Sequence, residues 1–165
     1  MKNYKSTTIG LIFATSMLTG IASGELAQNS AQGSLTVDGQ TATIKYAYAD
    51  EYDGDITVVL ADSPLAKQSI PDNVYNLGAK GEFRGFVFSV SRAMKKLQKD
   101  GLYKLINAIH YYPLWNQLGS VGDGVLTVSR FDTDTLVGRI ATPSDNELVG
   151  HKFSYDVSFS VDLKK

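Results

Sequence analysis

Residues 153–163, "FSYDVSFSVDL", alternate apolar and polar side chains without exception. Phe153, Tyr155, Val157, Phe159, Val161 and Leu163 fall on one side, and Ser154, Asp156, Ser158, Ser160 and Asp162 on the other. A period of two belongs to a strand and not to a helix, whose period is 3.6. The segment therefore reads as a half-buried antiparallel strand with one face on a core and one in water. Such a strand cannot exist alone. Its apolar face needs other faces of the same kind, either in a second packed sheet or in the same sheet rolled on itself.

The rest of the chain supplies them. "SLTV" (34–37) runs into Asp38-Gly39, the strongest short hairpin signal. "TATIKYAYA" (41–49) places Ile44, Tyr46 and Tyr48 on one face, "DEYDGD" (50–55) turns the chain, and "ITVVLA" (56–61) is β-branched. Pro64 and Pro71 make 62–73 a loop or an isolated turn, and "EFRGFVFSV" (82–90) sets Phe86, Phe88 and Val90 on one side. Residues 91–100 differ: Arg92, Lys95, Lys96 and Lys99 recur at helical spacing opposite Met94 and Leu97, and Gly101 can end a helix. The segment 102–112 fits either a helical stripe or a strand, with its β-branched and aromatic second half favouring strand. "GVLTVSRF" (124–131) and "TLVGRIAT" (135–142) flank Asp132-Thr133-Asp134 as a hairpin. The expected fold is all-β: an immunoglobulin-like antiparallel β-sandwich of seven or eight strands with one short helix. A small β-barrel is the alternative.

The ends predict where the protein works. Lys2 and Lys5 precede the uncharged run "IGLIFATSMLTGI" (9–21), and Ala22 and Gly24 place small residues before Glu25. That is the layout of a secretory signal peptide spanning 1–24. The run is too short and too diluted to span a bilayer, which takes about 20 apolar residues. A flexible leader (25–32) and a single domain (33–165) are expected to follow. The chain has no cysteine, so neither a disulfide nor a lipid-modified cysteine can form. The 141 residues from 25 to 165 are enough for a core without such staples. No transmembrane segment is expected after cleavage, and the chain reads as a bacterial exported protein, periplasmic or secreted. Loss of Lys2 and Lys5 leaves 14 basic residues against 17 acidic ones, a net charge of −3. Nucleic acid is not a partner that such a balance suits.

Taken together, "GSLTVDGQ", "ITVVLADSPL", "GRIAT" and "FSYDVSFSVDL" resemble a group of uncharacterised exported bacterial domains. These share a Gly-x-Leu-x-Val-x-Gly opening, a strand ending in Leu-x-Asp-x-Pro-Leu and a closing Phe-x-Tyr-x-Val-x-Phe strand. The resemblance implies a small all-β domain and favours strand over helix at 102–112. It carries no catalytic residues.

Chemistry is sparse. No G-x-S-x-G frames a nucleophile, and two histidines without cysteine fall short of a usual zinc ligand set. Setting Gly54 at the EF-hand glycine puts Ala49 and Leu60 at ligand positions, so that loop is rejected. The acidic turns read as solvated turns, and neither a metal nor a cofactor is expected. Two features could bind something. The stripe Arg92, Lys95, Lys96 and Lys99 could hold an anion, although such stripes are usually the wet side of an amphipathic helix. The run "AIHYYPLWNQL" (108–118) gathers His110, Tyr111, Tyr112 and the single tryptophan, Trp115. Rings with polar tips suit recognition of a glycan or protein. Trp115 is expected to close the core, with His110 and one tyrosine facing outward. The leading expectation is a non-enzymatic binding module whose partner is an envelope protein, glycan or small molecule. A small hydrolase acting on an envelope glycan or ester is one alternative, and a β-barrel carrying a small apolar ligand is another.

Overall fold

A computed structural model describes residues 26, 29–66, 74–92, 102–104, 110–112, 125–142, 146–148 and 150–164. The expected signal peptide lies outside them. Among the described residues, the chain is mostly antiparallel β-sheet with one short helix. Seven strands have seven or more residues: β1 (Ser30–Val37), β2 (Gln40–Tyr52), β3 (Asp55–Ala61), β4 (Gly85–Ser91), β7 (Val125–Phe131), β8 (Thr135–Ala141) and β10 (His151–Asp162). Three have only three: β5 (Leu102–Lys104), β6 (His110–Tyr112) and β9 (Asn146–Leu148). Helix α1 is Val74–Ala79.

Turn chemistry sets the first two hairpins. Asp38 and Gly39 (φ 48° and 79°) and Asp53 and Gly54 (φ 52° and 81°) all have positive φ, as two-residue type I′ turns require. The acidic stretch 50–55 is therefore mostly strand, with only Asp53-Gly54 turning. The leader is also shorter than expected. Ser30, Ala31 and Gln32 belong to β1 and pair with Ser160, Phe159 and Ser158 of β10.

The strands hydrogen-bond along one path, β5-β7-β8-β10-β1-β2-β3-β4-β6, with β9 on β10. That path is curled. Laid flat, its eight steps would part β5 from β6 by about 38 Å at roughly 4.8 Å per step. Yet Lys104 ends β5 and His110 begins β6, and six residues reach at most about 22 Å. The inner face gathers into one cluster that includes Leu35, Ile44, Val58, Phe86, Phe88, Leu126, Ile140 and Phe159. Every apolar residue of the closing alternation, Phe153 to Leu163, is buried there.

A second cluster lies on the opposite face of β2–β4. Val74 and Leu77 of α1 cover Val59, Ala61, Phe83 and Val87, with Tyr46 and Tyr48 beside them. The expected grouping of Ile44 with these tyrosines is corrected. Ala42, Ile44, Ala47 and Ala49 face the main cluster, so β2 loses one beat of its alternation between Ile44 and Ala47. The β1–β2 register shifts at the same place, between Ser30↔Tyr46 and Gly33↔Ile44. Strand β3 is consequently buried on both faces, which explains its continuous β-branched run.

The described helix is not the expected one. Residues 93–100 lie outside the described residues, Ser91 ends β4, and the helix seen is α1. The segment 102–112 contributes two strands on different neighbours, β5 beside β7 and β6 beside β4, and 105–109 lie outside.

Candidate functional site

The aromatic run enters the fold as β6, the last strand of the sheet path. His110, Tyr111 and Tyr112 pair with Val87, Phe86 and Gly85. Their side chains, and Trp115 altogether, lie outside the described residues. What holds this corner is clear from its neighbours. Asp62 donates its backbone N–H to the Arg84 carbonyl (2.9 Å). Its carboxylate accepts the Arg84 backbone N–H (2.8 Å) and Nε (2.7 Å), and the Ser63 hydroxyl at 3.0 Å. Partial burial pushes the Asp62 carboxyl up, but the Arg84 backbone and guanidinium together outweigh it and hold the group below its ordinary value. Arg84, immediately before Gly85, is thus fixed in place, and with it the start of the strand that carries β6.

The loop beyond is fixed from the other side. Tyr48 Oη accepts the Leu65 N–H at 2.8 Å. Helix α1 packs next to β6 and keeps Tyr75 40% exposed. The corner is a built edge beside the helix that carries the partly exposed Tyr75.

Of the basic stripe, only Arg92 lies among the described residues. Lys95, Lys96 and Lys99 lie outside the described residues, and the Arg92 guanidinium is already engaged within the protein. Its Nε and Nη2 donate to the two carboxylate oxygens of Glu51 at 2.5 and 2.6 Å. Nη1 donates to the Asp132 carbonyl at 2.9 Å, Nη2 also reaches the Thr133 carbonyl at 3.3 Å, and the group lies 5.5 Å from the centre of the Phe131 ring. Hydrogen bonding to Glu51 chiefly raises the Arg92 pKa above the ordinary arginine value. The bidentate fit is the geometry a carboxylate prefers, so the fork is satisfied by Glu51. Arg92 thus acts as a clasp within the protein. It is also far from the aromatic corner, because β4 extends about 20 Å between them at roughly 3.4 Å per residue.

Further carboxylate contacts stand where the sequence suggests only solvated turns and strand faces. Asp38 accepts the Lys152 N–H at 2.9 Å and pairs with His151 Nδ1 at 2.6 Å. Its carboxyl is lowered first by His151 and then by the Lys152 N–H. Asp132 accepts Arg130 Nε (2.5 Å) and the N–H groups of Asp134 and Thr135 (2.9 Å each). Arg139 forks onto Asp156 at 2.6 and 2.5 Å across β8 and β10. Each joins a turn or strand to its neighbour. Asp38 marks itself in the sequence only as the first residue of an Asp-Gly turn.

Among the described residues, no group of three or more His, Asp or Glu is placed to hold a metal ion. Among the same residues, no helix is long and apolar enough to cross a membrane. Comparison with protein-family models, curated proteins and solved structures found no match.

Proposed function

We propose that this chain is an exported, non-enzymatic binding module of the bacterial envelope or its surroundings, with its recognition edge at β6 and α1. The observation that carries the reading is the position of His110–Tyr112. The most aromatic stretch of the sequence forms a terminal strand of the sheet, beside the helix that carries the exposed Tyr75 and on a strand fixed by Asp62 and Arg84. Edge positions on a rigid scaffold are where recognition residues are best presented. Rings with polar tips bind at small entropic cost because they have few rotors. An envelope protein or glycan is the favoured partner, and a small molecule is the third choice.

Two finer points belong to this proposal. The unbroken hydrogen-bonded path favours a rolled half-barrel over an immunoglobulin-like sandwich, whose strands divide between two sheets. Phe86, Phe88 and Phe159 fill the interior, which favours surface recognition over carriage of an apolar cargo.

Site-specific photo-crosslinking in intact cells tests the reading. A photoreactive residue replaces Tyr111 in one variant and the exposed Thr43, on the outer face of β2, in another. Discrete adducts from position 111 and none from position 43 are expected. No adduct from 111, or equal labelling from both positions, would overturn the proposed edge. Release of glycan fragments by purified protein would favour the hydrolase instead.

A further inference from the structure

Arg92 stands where the two ends of the curled sheet meet. It leaves the end of β4, yet its hydrogen bonds reach Glu51 on β2 and the carbonyls of Asp132 and Thr133 in the β7–β8 turn. In the hydrogen-bonded path β4 and β7 are six steps apart. A flat sheet would separate them by about 29 Å at roughly 4.8 Å per step. The guanidinium is 29% exposed and Glu51 23%, so the pair is partly shielded at the rim. Inward of it lie Val90 and Phe88 of β4, both 1% exposed.

We propose that Arg92 is a latch on the seam of the curled sheet, and that the domain opens there before its central strands separate. A ladder between two strands is cooperative, with each bond supported by the next. The β4 end and the β7–β8 turn are instead bridged by the Arg92 side chain, which also holds Glu51. Glu51 orients the guanidinium from the β2 side, and the remaining N–H groups capture the turn. Local opening follows the least supported contacts of a fold. Release of this group loosens the turn from the β4 end, while β8 stays paired with β10, and opens the rim of the apolar interior at Val90 and Phe131. The inference goes beyond the binding reading and does not depend on any ligand.

Native-state hydrogen exchange on the whole mature protein tests it, with Arg92→Gln, Arg92→Lys and Glu51→Gln compared with wild type. In Arg92→Gln the amides of 131–135 and 88–91 should exchange at least tenfold faster, while those of 33–37 and 153–159 change less than twofold. Arg92→Lys keeps the charge but loses the fork, so its effect should be intermediate. Glu51→Gln leaves the turn carbonyls bonded and should act less than Arg92→Gln. An anilinonaphthalene dye that lights up in apolar surroundings should bind Arg92→Gln and not wild type. Equal acceleration in every strand would make Arg92 an ordinary contributor to global stability and overturn the latch. Unchanged exchange at 131–135 in both Arg92 variants would overturn it as well. Should Arg92→Gln fail to fold, Arg92→Lys supports the same comparison of rim with centre.

Discussion

The Phe86 and Tyr155 rings lie with centroids 5.0 Å apart, although β4 and β10 are separated by three intervening strands. Phe88 and Phe159 repeat the relationship edge to face at 5.6 Å. Ring contacts of this kind across four strand steps exist only because the sheet closes on its own inner face. Phe86→Ala removes the ring from both Tyr155 and Phe88 at a site with no exposure. Chemical denaturation should show a loss of about 3–5 kcal/mol, as large aromatic truncations in cores do. A loss below about 1 kcal/mol would mean that the curl is held by something else.

Backbone approach limits the same strand. A Cβ on Gly85 would stand 1.9 Å from the Leu60 carbonyl oxygen and 3.0 Å from the Ala61 Cα. Those are backbone atoms of β3 and cannot rotate away. Gly85→Ala should therefore cost about 3 kcal/mol, the upper end for overpacking. Gly39→Ala is the contrast. Nothing lies within 4 Å of its Cβ position, so only the positive φ of 79° is penalised, by about 1–2 kcal/mol. Equal melting temperatures for the two variants would refute the distinction.

Acid should weaken the β7–β8 turn over a wide pH window set by Asp132. Arg130 and the N–H groups of Asp134 and Thr135 hold the Asp132 carboxyl at about 2, against an ordinary value of 3.8, with slight desolvation opposing them. A depressed folded pKa means stability that is complete above the unfolded value and is lost as pH falls through the folded one. For Asp132 that window runs from about pH 3.8 down to about 2. Titration of its carboxyl carbon by NMR should give a midpoint near the lower figure, and Asp132→Asn should remove this share of the acid sensitivity. A midpoint at the ordinary value would show that the turn hydrogen bonds do not persist in solution.

The reach of the sequence follows from the range of each interaction. Strands and hairpins announce themselves within ten residues, through the alternation at 153–163 and the Asp-Gly pairs at 38–39 and 53–54. The loss of a beat in β2 is invisible because it depends on the register of β1, and so strict alternation groups Tyr46 and Tyr48 with the wrong face. Helix α1 has six residues, too few for a 3.6-residue period to show, and it lies just beyond Pro71. The ion pairs are longer in range still. Arg84 meets Asp62 across 22 positions, Arg92 meets Glu51 across 41, and His151 meets Asp38 across 113. Charge spacing alone made Arg92 part of a stripe. Folding gave it a partner on β2. The aromatic run was legible as a segment of interest, and its place at the end of the sheet came only from the pairing with β4.

That run supplies the last prediction. Trp115, three residues beyond the end of β6, is expected to close the core. As the single tryptophan it reports on itself. Native emission should be blue-shifted and should move red on unfolding, and Trp115→Ala should cost about 3–5 kcal/mol. His110 is expected to face outward at the strand end, where water is an alternative partner. His110→Ala should stay within about ±0.5 kcal/mol, the usual range for surface changes. The two residues therefore divide by what they lose, stability for Trp115 and partner binding for His110. If His110→Ala were costly and Trp115→Ala nearly neutral, the assignment would invert, with the imidazole inside and the indole facing water. The recognition edge would then be centred on Trp115, and the crosslinking position would have to move there from Tyr111.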